Sequence, residues 1–442
     1  MPEPSHILLE RFRKNFGTDI DLTLRPAYLD LLARFGNPQD HLPPVFHVAG
    51  TNGKGSTCAF LRAMLEAEGY TTHVYTSPHL VTFYERIRIA GKLIEEEELA
   101  GILAEAEKLM PPGAITLFEI TTIAAFVAFA RHKADFTILE TGMGGRLDAT
   151  NVVKKPLATI ITRLSYDHIQ HLGSTIDAIA REKAGIMRAG VPCFSAAQPE
   201  RLALQTLIDA AVKKNAPLSV GGADWGVEER GAGFRFTDAT RSLDLPPPAL
   251  LGRHQYKNAG LAIAALSVLP QPLPKATIAQ GLRTVNWPAR LQHLTTGNLA
   301  ALIPANAELW LDGGHNDSAG EILASQIKLW RKEDGAQPRP LYIVIGMLTT
   351  KRPAEFLSPF ASDIEQLRAV PIPNEVLSFS APALADEARK LGITSVGIAE
   401  NVTEALRDLA SQNFSVAPRI MICGSLYLAG IVLRLSQTYP GI

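Results

Sequence analysis

Val45-Phe46-His47-Val48-Ala49-Gly50-Thr51-Asn52-Gly53-Lys54-Gly55-Ser56-Thr57 decides the architecture of this chain. The run to Ala49 reads as a short buried strand, a glycine-rich turn follows, and residues 56–68 show helical periodicity. Strand, loop and helix in that order make a phosphate cradle. Backbone N–H groups at the helix start and the Lys54 ammonium would hold the oxygens of a nucleoside triphosphate. Gly50, Thr51, Asn52, Gly53, Lys54, Gly55, Ser56 and Thr57 are therefore candidate ATP contacts, with Lys54 also catalytic. The pattern departs from the usual phosphate loop, because Gly55 follows the lysine and the hydroxyls come later, at Ser56 and Thr57. A solvated Gly-Lys-Gly turn is the alternative, and the flanking strand and helix argue against it.

The chain has 442 residues, too many for one ordinary core, and at about 150 residues per domain two or three units are expected. The 46% hydrophobic and 20% charged fractions are those of a soluble globular protein. Lys and Arg total 43 against 44 Asp and Glu, so no global field recruits nucleic acid or an anionic membrane, and a small-molecule partner is expected. Met1-Pro2-Glu3-Pro4-Ser5 has no basic patch leading into an apolar segment, and no run reaches the roughly 18 apolar residues of a membrane span. The expected location is the cytoplasm. Cys58, Cys193 and Cys423 lie far apart in apolar contexts, as reduced core thiols do.

Ahead of the phosphate loop, Tyr28, Leu31, Leu32 and Phe35 mark an amphipathic helix stopped by Gly36-Asn37-Pro38. A second strand is expected at residues 72–75, running into Thr76-Ser77-Pro78-His79, and residues 80–93 suit a loop that folds over a ligand. Helices follow at 95–110 and 118–132, the second apolar almost all round and so buried. A strand at 136–139 delivers Glu140, another at 158–162 ends near Asp167-His168, and a helix at 175–187 carries Lys183. If these strands are parallel, Lys54, Ser77, Glu140 and His168 gather at their carboxyl ends, where open α/β sheets bind ligands. Short alternating runs over 218–251 predict a small antiparallel sheet, and 254–269 a helix carrying Asn258. Strand and helix alternation then resumes. The domain boundary is placed at residues 292–298, which gives domains of 1–295 and 296–442.

Several segments, in order, resemble folylpolyglutamate synthases and the bifunctional dihydrofolate synthase/folylpolyglutamate synthases of the Mur ligase superfamily. They are Gly50 to Thr57, Thr76-Ser77-Pro78-His79-Leu80, Phe118-Glu119-Ile120-Thr121, the stretch Glu140-Thr141-Gly142-Met143-Gly144-Gly145-Arg146-Leu147-Asp148-Ala149-Thr150-Asn151, Asp167-His168 and Glu182-Lys183-Ala184-Gly185-Ile186. Farther on come Gly252 to Ala259, Pro288-Ala289-Arg290, Leu311-Asp312-Gly313-Gly314-His315-Asn316 and Cys423-Gly424-Ser425-Leu426-Tyr427. The resemblance covers nearly the whole chain and is most specific over 140–151.

It implies an α/β protein: a P-loop-containing Mur-ligase-like ATPase domain with a small antiparallel sheet, joined to a smaller Rossmann-like C-terminal domain, with the active site between them. It also implies an ATP-dependent ligase that adds L-glutamate to dihydropteroate and to reduced folates through an acyl phosphate, as a monomer using ATP and magnesium at two sites, with room for a monovalent cation. By the same resemblance Ser77, Glu140 and His168 are metal ligands, and Lys183 is the lysine carbamylated in these enzymes. Asn258, Arg290 and Asp312 are ATP contacts, His315 is catalytic and glutamate-binding, and Ser425 contacts glutamate. Thr116, Phe118, Asp148 and Ala149 match the pterin site of the bifunctional members. Two departures lie in the second domain: Asp317 follows Asn316 where proline is common, and Thr349-Thr350-Lys351-Arg352-Pro353 replaces an acidic-lysine-acidic segment. A synthase confined to polyglutamate extension, and a nucleotide-gated binding protein without ligation, are the competing readings.

Overall fold

The computed structural model describes residues 3–16, 25–109, 115–412 and 414–437. The chain folds as two units. The first comprises Met1–His79, Phe83–Ala249 and Gln255–Val285; the second comprises Leu80–Thr82, Leu250–His254 and Asn286–Ile442.

The first unit is built on an eight-stranded sheet: β1 (Val45–Ala49), β2 (Thr72–Tyr75), β3 (Ile87–Ile89), β4 (Lys92–Leu93), β5 (Phe136–Glu140), β6 (Ala158–Ile161), β7 (Cys193–Ser195) and β8 (Leu218–Val220). Its order is β4-β3-β2-β5-β1-β6-β7-β8. From β2 to β8 every pairing is parallel. Helices cover both faces of such a sheet, so its inner strands are wholly buried, as β1 and β5 are. One face carries the helices Ser5–Phe16, Pro26–Arg34, Glu96–Leu109 and Leu117–Arg131 through a cluster that includes Phe12, Tyr28, Leu103 and Phe126. The other packs Ile176–Lys183 and Arg201–Lys214 through Ile176, Ala180, Ala203 and Leu207. The helix read as apolar all round, Leu117–Arg131, is buried from Glu119 to Phe129, and a capping box of Thr116 and Glu119 starts it. All three cysteines are buried and reduced.

The structure corrects four expectations. Residues 80–93 contain the hairpin β3–β4, which extends the sheet antiparallel from β2. Its turn uses positive φ at Ala90 and Gly91, the geometry that matches strand twist in a two-residue hairpin. The segment 218–220 is the edge strand β8 of the main sheet, so the small antiparallel sheet holds only β9 (Trp225–Arg230), β10 (Gly233–Asp238) and β11 (Ser242–Leu245). The helix of the phosphate loop starts at Lys54, two residues before its periodicity begins. The helix carrying Lys183 ends there and tightens into a 3₁₀ turn at Ala184–Ile186. The Glu182 carbonyl at this helix end accepts from Arg146 N at 2.8 Å. Met110, the expected end of another helix, lies outside the described residues.

The second unit holds a six-stranded sheet of β12 (Gln292–His293), β13 (Glu308–Leu311), β14 (Leu341–Ile345), β15 (Ile364–Ala369), β16 (Val396–Ile398) and β17 (Arg419–Cys423) in the order β12-β13-β17-β14-β15-β16. Only β12 is antiparallel. Clusters around Phe356 and Ile343 on one side and Val344 and Leu428 on the other cover both faces. Among the described residues no helix is long and apolar enough to cross a membrane.

Candidate active site

β1 ends at Ala49, and the chain must turn sharply against the end of β6. A Cβ on Gly50 would lie 1.8 Å from Thr162 Oγ1, so only glycine fits. Thr51 N and Asn52 N both donate to the Arg163 carbonyl at 3.1 Å, which pins the loop to the residues after β6. Gly53 takes φ +91° and lies against Asn258, whose Oδ1 would be 2.5 Å from an added Cβ. Asn258 is itself aimed by Gln255, which accepts from Asn258 Nδ2 at 3.0 Å and approaches Ser56 Oγ at 3.4 Å. The first N–H to bond back within the helix is that of Thr57, to Gly53 O, which leaves the earlier amides at the N-terminus as an anion cradle. Thr57 Oγ1 is buried with no partner among the described residues.

Parallel register sets Glu140 opposite Val48, one residue from the end of β1. Its carboxylate lies 4.0 Å from Lys54 Nζ and accepts from Ser77 N at 3.4 Å. The chain thus brings Lys54, Ser77 and Glu140 together, each from the carboxyl end of a different parallel strand. Lys183 reaches the same loop from the helix Ile176–Lys183: its Nζ donates to the Gly50 carbonyl at 2.8 Å. Burial first, and then the charge of Lys54, pull its pKa down to about 7, so that near neutrality much of it is an uncharged amine. His168 arrives separately, at the start of the short helix Ile169–Leu172, with φ +50° and its ring 3.8 Å from Asp167.

A second group sits behind this one. Asp148 is buried and accepts from Met143 N at 2.9 Å, Thr150 N at 3.0 Å and Thr150 Oγ1 at 2.6 Å. Burial raises its pKa, and these hydrogen bonds oppose the rise. The adjoining Ala149 carbonyl accepts from Tyr28 Oη at 2.6 Å. Phe118 lies on Gly142, where a Cβ would come within 2.4 Å of the ring. The Thr116 hydroxyl accepts from Glu119 N at 3.2 Å, so its local duty is to cap the helix Leu117–Arg131.

In the second unit Asp312 follows β13, and both its oxygens hold backbone: Oδ2 accepts from Leu291 N at 2.8 Å and Oδ1 from Gly314 N at 2.7 Å. Ala289 and Leu291 adopt φ of +57° and +45° on either side of Arg290. Bulky residues rarely adopt that conformation, and the Asp312 clamp maintains it. His315 Nδ1 lies 2.9 Å from the Gly313 carbonyl. Ser425 caps the helix Leu426–Ser436, its Oγ accepting from Tyr427 N at 3.1 Å. At the two departures, Asp317 opens the helix Asp317–Asp334 behind its Asn316 cap, and Arg352 precedes the short helix Pro353–Leu357.

Residues 48–266 match the Mur ligase middle domain and residues 295–435 the C-terminal domain of dihydrofolate synthetase. A dihydrofolate synthase/folylpolyglutamate synthase of Bacillus subtilis is 40% identical over 315 residues, 67% of this chain and 70% of that protein. This chain belongs to the dihydrofolate synthase/folylpolyglutamate synthase family of Mur ligases. Escherichia coli FolC, solved with DHPP and ADP, is similar with a TM-score of 0.85 at 31% identity, over 98% of this chain and 97% of that one. A bifunctional folylpolyglutamate synthase/dihydrofolate synthase solved with Mn, AMPPNP and L-glutamate gives 0.84 at 30% identity over 98% of each. As a member of this family the chain is an ATP-dependent ligase that works with a divalent metal.

The residues present fit such a metal. Glu140 offers a carboxylate at the strand ends, and the buried Thr57 hydroxyl lies at the start of the cradle helix. Among the described residues no three His, Cys, Asp or Glu side chains converge, so phosphate oxygens and water would complete the shell, as magnesium prefers. Sequence reasoning missed the residues that hold this family's site residues in place. Gln255 aims Asn258. Arg188 donates to Asn151 Oδ1 at 2.6 Å, tying the loop of Asp148 to the segment after Lys183. A polar residue in a glycine-rich turn signals binding, whereas Arg188 lies 37 positions from Asn151 and carries no local signature.

Proposed function

We propose that this ligase joins L-glutamate both to dihydropteroate, making dihydrofolate, and to the γ-carboxyl of reduced folates, making polyglutamates. The observation that carries the reading is Lys183, a buried amine held on the phosphate-loop carbonyl of Gly50 with its pKa near 7. A nucleotide-gated switch has no use for such a group. A catalyst that needs an extra oxygen anion does, because neutral amine and carbon dioxide give a carbamate with release of one proton. Carbamylation of Lys183 is part of this proposal.

Carboxylates are poor acyl donors, since the leaving group would be oxide. A substrate carboxylate oxygen therefore attacks the γ-phosphorus and ADP departs. The amine nitrogen of L-glutamate then attacks the acyl carbon, the C–O bond to phosphate breaks with its electron pair going to the phosphate oxygen, and the nitrogen loses a proton. Lys54 and the amides opening the helix Lys54–Ala67 hold the negative phosphoryl oxygens. Ser77 and Glu140 would hold one magnesium and His168 a second, and bound magnesium supplies charge neutralisation on the phosphates. Asn258 is the adenine-side contact and Arg290 the phosphate-side one, with Asp312 a further ATP contact. Thr116, Phe118, Asp148 and Ala149 receive the pterin, and His315 and Ser425 the incoming glutamate. In domain terms, residues 1–295 are the ATP-binding domain and residues 296–442, which include the ATP contact Asp312, the glutamate-ligase domain. The three buried thiols suit a cytoplasmic enzyme.

The test is ADP release with dihydropteroate or tetrahydrofolate, each with and without L-glutamate. Glutamate-dependent ADP is expected with both acceptors. Activity with tetrahydrofolate alone would reduce the enzyme to polyglutamate extension, and nucleotide binding with no amide product would reject ligation.

A further inference from the structure

His47 is wholly buried in the middle of β1, three residues before Gly50, yet nothing in phosphate binding needs an imidazole there. Its Nε2 lies 2.8 Å from Thr150 Oγ1. The Thr150 hydroxyl in turn donates to Asp148 Oδ1 at 2.6 Å. A hydroxyl has one proton, and a carboxylate can only accept, so that proton belongs to the Thr150–Asp148 bond. His47 must then be the donor, in its Nε2–H tautomer. Nδ1 has no partner among the described residues, which fits a bare acceptor better than an orphaned N–H. The directed chain runs His47 to Thr150 to Asp148 and joins the strand that feeds the phosphate loop to the carboxylate in the loop 142–151.

We propose that His47 is a positioning residue for the acceptor substrate: its Nε2–H orients the Thr150 hydroxyl, which holds Asp148 as a fixed, ionised hydrogen-bond acceptor. The inference rests on the reading of Asp148 as a pterin contact. The geometry favours this role over plain packing. β1 lies inside the sheet between β5 and β6, so His47 is among the most rigid anchors available, while Asp148 sits in irregular, glycine-rich backbone whose rotamer only hydrogen bonds can fix. An ionised carboxylate this deep requires strong donors, and a hydroxyl polarised by an N–H behind it is a better donor than one left to rotate. Burial, together with the nearby Arg188 guanidinium, keeps the imidazole neutral, with a pKa lowered to about 3. A neutral imidazole retains one fixed tautomer, as a one-way relay needs.

The experiment compares full-length His47→Gln, His47→Asn and His47→Leu with Asp148→Asn, titrating each with dihydropteroate and separately with AMPPNP. Gln can place an amide N–H near the Nε2 position, and Asn cannot reach it. His47→Leu and His47→Asn should each weaken dihydropteroate by about tenfold, with AMPPNP held within about twofold and His47→Gln recovering to within about threefold of wild type. Equal losses in Gln and Asn, or parallel losses of AMPPNP, would show a merely structural histidine and overturn the proposal. Normal dihydropteroate binding by Asp148→Asn would instead remove the pterin reading beneath it. Nitrogen-15 NMR of wild-type His47 gives an answer independent of variant folding. A single Nε2–H tautomer through about pH 6 to 8 supports the relay, and an Nδ1–H tautomer or an imidazolium overturns it.

Discussion

Around Glu140 an ion pair with Lys54 joins two strand ends, whereas around Asp312 both carboxylate oxygens are spent on backbone N–H groups. In the first unit Lys54, Ser77 and Glu140 come from three strands and Lys183 from a helix, and burial has pulled the Lys183 pKa down to about 7. In the second unit both oxygens of Asp312 hold main-chain N–H groups, His315 is set against a local carbonyl and Ser425 caps a helix. The first arrangement stores charge for a ligand to complete. The second shapes the turn that carries Arg290. Substitutions should therefore be harsh on turnover in the first unit, and should split between stability and binding in the second.

Lys183→Ala should show the largest effect, a loss of roughly a thousandfold in kcat with the fold intact, since the proposed carbamate would be an anion at the phosphoryl site. A short carboxylate should restore part of the activity. After incubation with labelled bicarbonate, carbon-13 NMR should show a carbamate in the wild type and none in the variant. Only the neutral amine reacts with carbon dioxide, and the neutral fraction grows as pH rises through about 7. Recovery of carbon-dioxide-depleted enzyme should therefore be faster at pH 8 than at pH 6, by about tenfold. Full activity of depleted enzyme with no carbamate signal would make this lysine an ordinary cation.

Glu140→Gln comes next, with kcat reduced about a hundredfold and partial relief at high magnesium, and His168→Ala should behave alike. Near-normal turnover in both at limiting magnesium would dissolve the contrast between the units. Asp312→Asn should be milder and mixed. An amide can accept one of the two N–H bonds but presents its own N–H₂ to the other, so a stability loss of roughly 2 kcal/mol is expected as a lower urea midpoint. As Leu291 relaxes from φ +45°, Arg290 moves, and KM for ATP should rise about tenfold. A change in KM without loss of stability would mean that Asp312 touches the nucleotide directly.

The same contrast explains what was legible in the sequence. Glycines, lysine and hydroxyls sit in one contiguous stretch at 50–57, and a strand pattern delivers Glu140, so the first site could be read from local chemistry. The helix start at Lys54 could not, because Gly-Lys-Gly has poor helix propensity and the turn is imposed by Thr162, Arg163 and Asn258 from elsewhere in the chain. The β3–β4 hairpin hid in a charged segment too short to show clear alternation. His47 was invisible as a polar residue in an apolar strand, since its partner Thr150 lies 103 positions away. Asp312 was noticed, but its clamp on Leu291 depends on positive φ at non-glycine residues, which no residue type announces.

Ser425→Ala should give the smallest effect and the sharpest division between the two roles. As a cap, Ser425 Oγ accepts from Tyr427 N, and replacing a serine cap by alanine costs about 1 kcal/mol. Accepting that bond leaves the hydroxyl its own proton, which can be donated to a glutamate carboxylate, so one oxygen can serve helix and substrate together. Ser425→Ala should thus lower the urea midpoint slightly and raise KM for L-glutamate about tenfold, the low end for one hydrogen bond to a charged group. Ser425→Asp separates the two. Aspartate is as good a cap, so stability should return to within about 0.5 kcal/mol of wild type. Its carboxylate has no proton to donate and repels the substrate carboxylate, so KM for L-glutamate should rise further than in the alanine variant, with KM for ATP unchanged. If Ser425→Asp restored both stability and glutamate affinity, the residue would be a cap alone, and the glutamate contact would have to come from another residue.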